Sequence, residues 1–536
     1  MSDSQARRFA RDWRVIDQYT HSEQTPIYDD GGNITGYLTT SNGLSATVFQ
    51  EVSTGRRYLA IRGTEATSGS DLWTDLVDLV AIGTPEHQSQ YQSLQSRIRQ
   101  WQTDGTLPAS FTVAGHSLGG FLAAAVAIDF PLNVQHAYLY NAPGAGGVRA
   151  NLELALEMLG GLPAGSRTLN LGIVTNLRAT SGASLIAGLG QAWSTPTGIE
   201  IEAANGFGLG NHSIVRLTDA LAIHAVYAEL SPALTLAHTG QILQSAASNS
   251  SKTLEAALDA LRICLLGSAA LPGGASGPTV EENRDSLYAN LYALQDSAAY
   301  KALKGSAAVR LTATQDATAL VTNAKSDFGS FLAVNYLLPV VIEGAAGTLS
   351  GVHGDLYVQW QADQALTPEQ RAAGLANFSD EYLADRAAFL TWKNKLALED
   401  FAITDGAYTA GPDAYFSDLA SGLQINLGSN GTGPANKPRY VFGGEQGDAV
   451  SGGSQGDRLY GRGGNDVLYG YDSNDYIEGN AGDDTLTAGG GTDTLVGGAC
   501  LFLGEGGFSL QFNFPGVLTL DENTTLSLIV QGKASA

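Results

Sequence analysis

GGEQGDAVS, GGSQGDRLY, GRGGNDVLY, GYDSNDYIE, GNAGDDTLT and AGGGTDTLV follow one another without a break from Gly443 to Val496. The sixth position of every nine-residue block is aspartate, and the eighth is valine, leucine or isoleucine. Each block predicts a glycine-rich turn followed by a very short strand, because glycine adopts positive φ without steric cost. The aliphatic residue then faces inward, while the aspartate and the turn carbonyls supply the hard oxygen ligands that Ca²⁺ prefers.

This series resembles the RTX nonapeptide array, a calcium-binding parallel β-roll. Two blocks form one coil of that roll, so the resemblance implies two columns of metal ligands: Asp448, Asp466 and Asp484 on one side, and Asp457, Asp475 and Asp493 on the other. A disordered linker rich in glycine and aspartate would not keep a strict period of nine. Weaker binding is expected in the end coils, because some positions that favour glycine carry other residues: Gln446, Gln455, Ser473 and Ala488.

The composition sets limits on the class of protein. A chain of 536 residues that is 43% hydrophobic is long enough for several domains and at least one large core. The formal net charge of −24 argues against nucleic acid as a partner and against simple electrostatic docking on anionic membranes. The two cysteines, Cys264 and Cys500, cannot form a disulfide framework. We find no apolar stretch long enough to predict a membrane span.

The N-terminal sequence has no apolar core of the signal-peptide type. The resemblance to RTX proteins implies another route, in which a type I secretion channel exports the unfolded chain by means of a C-terminal signal. Such proteins fold outside the cell, where calcium is abundant. We therefore expect an extracellular protein that interacts with type I secretion machinery.

A second motif, GHSLG at residues 115–119, matches G-x-S-x-G in the context that this motif requires. Residues Phe111–Ala114 predict a strand that is buried on both faces, and residues 120–127 predict an apolar helix that begins at once. A sharp turn from strand to helix exposes Ser117, and the helix N-terminus favours negative charge beside it. This context favours a nucleophilic Ser117 over a purely structural turn.

The full string GHSLGG resembles the elbow of the fungal-type (class three) lipases and of the bacterial lipases and phospholipases A1 that share their α/β-hydrolase fold. The resemblance implies that the RGT sequence ending at Thr64 supplies an oxyanion donor, together with the backbone N–H of Leu118. A strand-end turn without a catalytic role is the alternative for Thr64. The amphipathic segment 65–83, with Trp73 and Leu76, corresponds to a lid that contacts lipid or to an ordinary core-facing helix.

The general base must follow Ser117 in this fold. His212 comes after a glycine-rich run and opens the predicted helix Ser213–Leu230, a position from which it can reach the serine. His136 lies too early in the chain, and His224 lies in the middle of the helix. We therefore expect His212 to be the base.

The acid of a catalytic triad is not evident. The family order places it after the predicted strand Thr168–Thr175, but the following loop, residues 176–184, contains no Asp or Glu. Glu200 and Glu202 alternate along an apparent strand, so Glu202 is a candidate, although a solvent-facing pair is the favoured interpretation. The base can instead be oriented by a backbone carbonyl, Ser181 or Ser184. The acid stays open.

The expected fold is an α/β hydrolase domain followed by a helical region, whose Ala-rich faces predict a bundle core, and a C-terminal parallel β-roll. The boundaries are 1–240 for the α/β-hydrolase (lipase-like) domain, 241–400 for the helical region, 401–440 for a connector, 441–498 for the RTX calcium-binding β-roll, and 499–536 for a β-prone C-terminal cap that also contains any secretion signal.

The resemblance implies a secreted serine carboxylic-ester hydrolase that forms an acyl-enzyme on Ser117. Its substrates are lipid esters met at a transient lipid interface, so it is a triacylglycerol lipase or a phospholipase A1, with Ca²⁺ as cofactor and no nucleic acid partner. The alternative is a calcium-dependent RTX toxin or surface protein with a degenerate hydrolase domain, which the missing acid favours. An acyltransferase of the same fold is a third candidate.

Overall fold

The structure is a computed structural model that describes residues 2–29, 33–40, 43–62, 85–144, 171–180, 187, 192–202, 212–246, 253–267, 284–399, 408–409, 411–428, 436–497 and 517–520. They belong to two compact units. Unit 1 comprises Met1–Ala228, Ala233–Gly240 and Leu271–Ala293, and unit 2 comprises Glu229–Pro232, Gln241–Ala270 and Leu294–Ala536. Within the described ranges, no helix is both long and apolar enough for a membrane span.

The described helices are α1 (Asp3–Asp12), α2 (Pro85–Thr103), α3 (Leu118–Asp129), α4 (Ile214–Leu230), α5 (Leu236–Ala246), α6 (Leu254–Leu266), α7 (Asp285–Asp296), α8 (Ala298–Leu303), α9 (Ala317–Ala324), α10 (Phe328–Asn335), α11 (Ala346–Leu349), α12 (Gly354–Gln364), α13 (Pro368–Ala372) and α14 (Asp380–Leu398).

The described strands are β1 (Trp13–Thr20), β2 (Glu23–Tyr28), β3 (Ile34–Thr40), β4 (Ser45–Glu51), β5 (Arg57–Arg62), β6 (Phe111–His116), β7 (Val134–Tyr140), β8 (Val174–Ala179), β9 (Thr197–Ile199), β10 (Val309–Leu311), β11 (Val340–Ile342), β12 (Ala414–Asp418), β13 (Leu423–Leu427), β14 (Arg439–Phe442), β15 (Ala449–Ser451), β16 (Arg458–Tyr460), β17 (Val467–Asp472), β18 (Tyr476–Glu478), β19 (Thr485–Gly490), β20 (Asp493–Val496) and β21 (Val517–Leu520).

Unit 1 is built on a seven-stranded mixed sheet with the order β1-β4-β5-β6-β7-β8-β9. The strands β5 to β9 run parallel, whereas β1, β4 and β5 pair antiparallel. The helix α3 is buried from Leu118 to Ile128, which suits its sequence, because a helix that is apolar on all sides is stable only when it is covered. The carboxyl ends of β6 and β7 lie side by side, with His116 paired to Tyr140.

Two sequence predictions in this sheet are wrong in their boundaries. The segment Leu171–Ile173 is a 3₁₀ turn, and strand β8 begins only at Val174, because a short apolar run does not distinguish a strand from a turn. Residues 168–170 lie outside the described ranges. Strand β9 ends at Ile199, so Glu200 and Glu202 follow a strand and do not alternate along one.

The nine-residue blocks fold as parallel coils of two blocks each. Strands β14, β16, β18 and β20 pair in one sheet with a repeat of 18 residues, and β15, β17 and β19 pair in the other. The eighth residues of the blocks meet between the sheets and are buried: Val450, Leu459, Leu468, Ile477, Leu486 and Leu495. In this register the sixth residues of alternate blocks stack in two columns, one for each sheet. The strand β21 pairs antiparallel with β20.

The helix α14 packs against strands of the roll, within unit 2. The ring centroids of Tyr382 and Tyr460 lie 5.5 Å apart, and Asp385 accepts hydrogen bonds from Arg458 and Tyr460. Ser379 at the helix N-cap donates to a carboxylate oxygen of Glu478 at 2.6 Å. The Ala-rich faces of the helical region predicted only that its helices pack on one another. The sequence analysis therefore missed the aromatic contacts of α14 with the roll.

Candidate active site and calcium-binding turns

Ser117 occupies a strained turn between β6 and α3. Its backbone has φ 56° and ψ −128°, and its N–H donates to the carbonyl of Tyr140 at 3.0 Å. Such a conformation costs a non-glycine residue about 1–3 kcal/mol and persists only where the surrounding structure enforces it. The strain is the geometry expected of a nucleophile elbow, because it raises the serine above the carboxyl edge of the parallel sheet.

The glycines of the motif permit close contact of backbones. A Cβ atom at Gly115 would lie 2.1 Å from the carbonyl oxygen of Gly119, and one at Gly120 would lie 2.6 Å from the Cβ of Ala142. Leu118 is the first residue of α3, so its N–H is one of those that an α-helix leaves without an intrahelical acceptor. It is therefore suited to bind an oxyanion. Predicted positions that lie outside the described residues are Thr64, Trp73 and Leu76.

His212 lies beside the elbow, just before α4, and is only 6% exposed. Its ring centroid lies 4.7 Å from that of His116, the residue that precedes Ser117. Burial, with a smaller contribution from the neighbouring His116, lowers the pKa of His212 to about 3. The imidazole is thus uncharged at neutral pH, which is the form that can accept a proton from a serine hydroxyl.

The other histidines that follow Ser117 bond to residues outside the elbow: His136 to Thr175 (2.7 Å), His224 to Thr239 (2.7 Å), His238 to Thr235 (3.1 Å) and His353 to Cys264 (3.0 Å). Among the described histidines that follow the serine, His212 is therefore the one that the fold brings to the elbow.

Glu202, the candidate acid, lies in a buried ionic cluster. Its carboxylate is 3.2 Å from Nη2 of Arg284, whose Nε is 3.2 Å from the carboxylate of Asp219 on α4. Tyr288 on α7 donates to the other oxygen of Asp219 at 2.7 Å. The cluster gives Glu202 a structural role in joining α4 and α7. The remaining candidates for orienting the base lie outside the described residues: Ser181 and Ser184.

We expect Glu202→Gln to lower the free energy of unfolding by about 2–4 kcal/mol, because breaking a buried ion pair leaves Arg284 with less compensation for its charge. Thermal denaturation measures the change. Glu200→Gln is the matched control, since Glu200 only accepts a hydrogen bond from Thr180 at an exposed position. A hundredfold fall in kcat with an unchanged melting temperature would instead make Glu202 the partner of the base.

Asn141 is a residue of the site that sequence reasoning missed. It directly follows β7, is fully buried, and has φ 45°, a left-handed conformation that asparagine tolerates better than most residues. Its Nδ2 lies 3.3 Å from the carbonyl oxygen of His212, and its Oδ1 accepts the N–H of Ala179 at 3.0 Å. The sequence feature that could have identified this residue is an asparagine at the end of the strand that lies beside the elbow.

The block aspartates of the roll use one carboxylate oxygen to join successive coils. Oδ1 of Asp466 accepts the N–H of Asp448 at 2.7 Å, and Oδ1 of Asp484 accepts the N–H of Asp466 at 2.9 Å. The second column repeats this pattern with Asp457 and Asp475 at 2.8 Å. Among the described residues, the buried second oxygens of Asp466, Asp475 and Asp484 have no hydrogen-bond partner.

Unpaired carboxylate oxygens lie close to backbone carbonyl oxygens of the next coil. A Cβ atom at Gly461 would lie 2.3 Å from Oδ2 of Asp466 and 2.6 Å from the carbonyl oxygen of Gly479 in the next coil. Burial raises the pKa of Asp466 to about 7 and that of Asp484 to about 6, so the ionised carboxylates are costly without a cation. Carboxylate and carbonyl oxygens around a glycine-lined space fit Ca²⁺.

No group of three or more His, Cys, Asp or Glu side chains suited to a metal occurs among the described residues. Ala488 stands where the other blocks have glycine. At two of those glycines, Gly461 and Gly479, a Cβ atom would lie 2.3 and 2.4 Å from Oδ2 of the block aspartate.

Comparisons with solved structures give distant similarities. The extracellular lipase LipA from Serratia marcescens is 14% identical, with a TM-score of 0.17, over 86% of this chain and 54% of that chain. The Lip2 lipase from Yarrowia lipolytica is 14% identical, with a TM-score of 0.23, over 36% of this chain and 67% of that chain. TM-scores this low do not establish a shared fold, so the function has to be inferred from the site.

No curated protein matches the sequence. A family model does match the roll: residues 442–477 and 469–499 match the RTX calcium-binding nonapeptide repeat. The match covers the blocks whose register, core and unpaired carboxylate oxygens are described above. This segment of the chain therefore belongs to the RTX repeats, and it binds calcium.

Proposed function

We propose that the chain is a secreted serine carboxylic-ester hydrolase that acts on lipid esters. The observation that carries this proposal is the elbow itself: Ser117 is held at φ 56° between a parallel strand and a buried helix, with the uncharged His212 beside it. A serine in a strained strand-to-helix turn with an adjacent imidazole is the arrangement that nucleophilic acyl transfer requires.

In the proposed reaction, Oγ of Ser117 attacks the ester carbonyl carbon while its proton passes to His212. The N–H of Leu118, at the N-terminus of α3, stabilises the oxyanion, and Thr64 supplies the second donor. The tetrahedral intermediate then expels the alcohol, which takes the proton from His212 and leaves an acyl group on the serine. Water, deprotonated by the same imidazole, releases the carboxylic acid and restores the serine.

Calcium has a structural role in this proposal. The six block aspartates hold it together with turn carbonyls: Asp448, Asp457, Asp466, Asp475, Asp484 and Asp493. Calcium supplies positive charge to buried carboxylates, and no step of ester hydrolysis passes through it. A roll that depends on calcium suits a protein that leaves the cell unfolded by the type I route and folds outside. We therefore propose that the chain is extracellular.

A fluorophosphonate probe tests the nucleophile directly, because it reacts with an activated serine and marks the peptide that contains it. We expect mass spectrometry of the purified, calcium-loaded chain to find the adduct on Ser117. Absence of labelling, together with intact circular dichroism, would favour the alternative of an RTX toxin or surface protein with a degenerate hydrolase domain.

The lipid class needs a separate comparison. Triacylglycerol emulsion and phosphatidylcholine vesicles labelled at the sn-1 acyl chain distinguish a triacylglycerol lipase from a phospholipase A1. We propose that activity rises at such interfaces relative to monomeric esters. Equal rates on monomeric and aggregated esters would contradict the lipid part of the proposal and leave a plain esterase.

We expect His212→Ala to lower kcat by several powers of ten, and the double variant with Ser117→Ala to be no worse than either single variant. The two side chains act as one unit, so their effects are not additive. Steady-state kinetics with a soluble p-nitrophenyl ester measures this. The matched control is His224→Ala on the adjoining helix, and a larger loss in that control would mean that the base is misassigned.

A further inference from the structure

The backbone carbonyl oxygen of His212 lies near two side-chain donors, one on the half-buried His116 and one on the buried Asn141. Nε2 of His116 lies 2.8 Å from this oxygen, and Nδ2 of Asn141 lies 3.3 Å from it. A carbonyl oxygen has two lone pairs, so it can accept both hydrogen bonds at once. The peptide that carries the candidate base is therefore fixed by side chains of the central sheet.

Both donors lie at the carboxyl ends of neighbouring parallel strands. His116 is the last residue of β6, and Asn141 directly follows β7. The main chain and side chain of Asn141 are also bonded to β8, through the carbonyl of Leu177 at 2.8 Å and the N–H of Ala179 at 3.0 Å. The donors are thus held by the same sheet edge that holds Ser117.

The contact determines the tautomer of His116. A carbonyl can only accept, so the proton of the neutral imidazole must be on Nε2. Burial lowers the pKa of His116, which keeps the ring neutral at physiological pH. A neutral ring whose centroid lies 4.7 Å from that of His212 orients the base without placing a positive charge beside it.

Position matters more for a base than for most residues, since catalytic groups have to be held within about 0.5 Å of the productive geometry. A displacement of about 1 Å can cost a hundredfold in rate. His212 lies just before the first turn of α4. Two hydrogen bonds to its carbonyl restrain the peptide at this position.

We propose that His116 and Asn141 are positioning residues that hold the carbonyl of His212 and thereby direct its imidazole toward Ser117. This inference rests on the proposed ester hydrolase function and adds to it. The middle residue of the elbow motif then has its own role, and the asparagine at the end of β7 becomes part of the site.

Kinetics of three variants tests the proposal with a soluble p-nitrophenyl ester. We expect His116→Leu to lower kcat about 10- to 100-fold with KM within about twofold, because orientation and not binding is lost. His116→Gln should recover most of the rate, since its amide can replace the donor. Asn141→Asp removes the second donor and keeps the acceptor for Ala179, so it should also lower kcat.

The matched control is His136→Leu, a half-buried histidine on β7 that bonds to Thr175 and not to the base. We expect it to leave kcat within about twofold of the wild type. Equal kcat for His116→Leu and the wild type would overturn the proposal, and so would a loss in His116→Leu that the glutamine variant does not recover.

A readout that needs no activity separates this inference from the proposed function. In wild-type chain with ¹⁵N-labelled histidine, NMR should find His116 neutral with its proton on Nε2. The Nδ1-protonated tautomer would overturn the proposal even if the enzyme is active. If instead the wild type hydrolyses no ester, the function fails, and the tautomer still decides whether His116 holds the carbonyl.

Discussion

Replacing Ser117 with alanine should lower kcat for ester hydrolysis by about 10⁴-fold or more, because loss of the nucleophile removes the acyl-enzyme route. The fold should be retained, since the side chain is small and makes no cap hydrogen bond to α3. Hydrolysis of a p-nitrophenyl ester, with active-site titration of the wild type, measures the effect. Activity within tenfold of the wild type would exclude Ser117 as the nucleophile.

Ser117→Gly is the matched companion of this variant. It is expected to be equally inactive but more stable than the alanine variant, because glycine adopts φ near 56° without strain. If Ser117→Gly melts at a higher temperature than both the wild type and Ser117→Ala, the strain at the elbow lowers the stability of the wild type, and the function of the serine is the reason that the strain is retained. Equal melting temperatures of the two variants would mean that the surrounding contacts compensate for the strain.

Removal of calcium should unfold the β-roll. Without a cation, buried carboxylate oxygens of Asp466, Asp475 and Asp484 have no partner, and like charges repeat at every coil. Short glycine-rich strands bury too little apolar surface to offset the chain entropy. We expect EGTA to lower β-content in circular dichroism and to open residues 443–496 to proteases.

Calcium should also raise the thermal stability by mass action, by about 2.7 kcal/mol for each independent site filled at a hundred times its Kd. Magnesium at equal concentration is the ionic control, because it demands a stricter octahedral geometry. Asp484→Asn is the matched variant and should shift the calcium titration to higher concentration. Identical circular dichroism in EGTA and in millimolar calcium would contradict a calcium-dependent roll.

The sequence predicted the parts of the fold that depend on residues close together in the chain. The aliphatic eighth residue of every block, from Val450 to Leu495, predicted the inner face of the roll, because a strict period leaves a single register that buries all of them. The string from Gly115 to Gly120 predicted the elbow, since a Cβ atom at either end would overlap neighbouring backbone or side-chain atoms. The position of Ser117 in the turn followed from these contacts between neighbours in sequence.

The parts that sequence missed depend on contacts between distant residues. Glu202 belongs with Arg284, which lies 82 positions further along the chain, so its partner was not visible from the local pattern. Asn141 gains its role only when β7 and β8 pair and His212 arrives beside them. The acid of the triad is unassigned for the same reason, and both Glu202 and the loop residues Ser181 and Ser184 stay hypotheses.

The packing of α14 on the roll implies an order of assembly. Phe389 on this helix stacks on Phe416 and Phe442, and Phe442 stacks on Tyr460, with centroid distances of 4.9–6.0 Å. Phe442 and Tyr460 form one surface only once β14 and β16 have paired, so part of the surface that α14 covers is absent while the roll is unfolded. In an exported chain whose roll folds only with calcium, α14 would complete its packing after the roll, so the ion concentration outside the cell would control when that packing is finished.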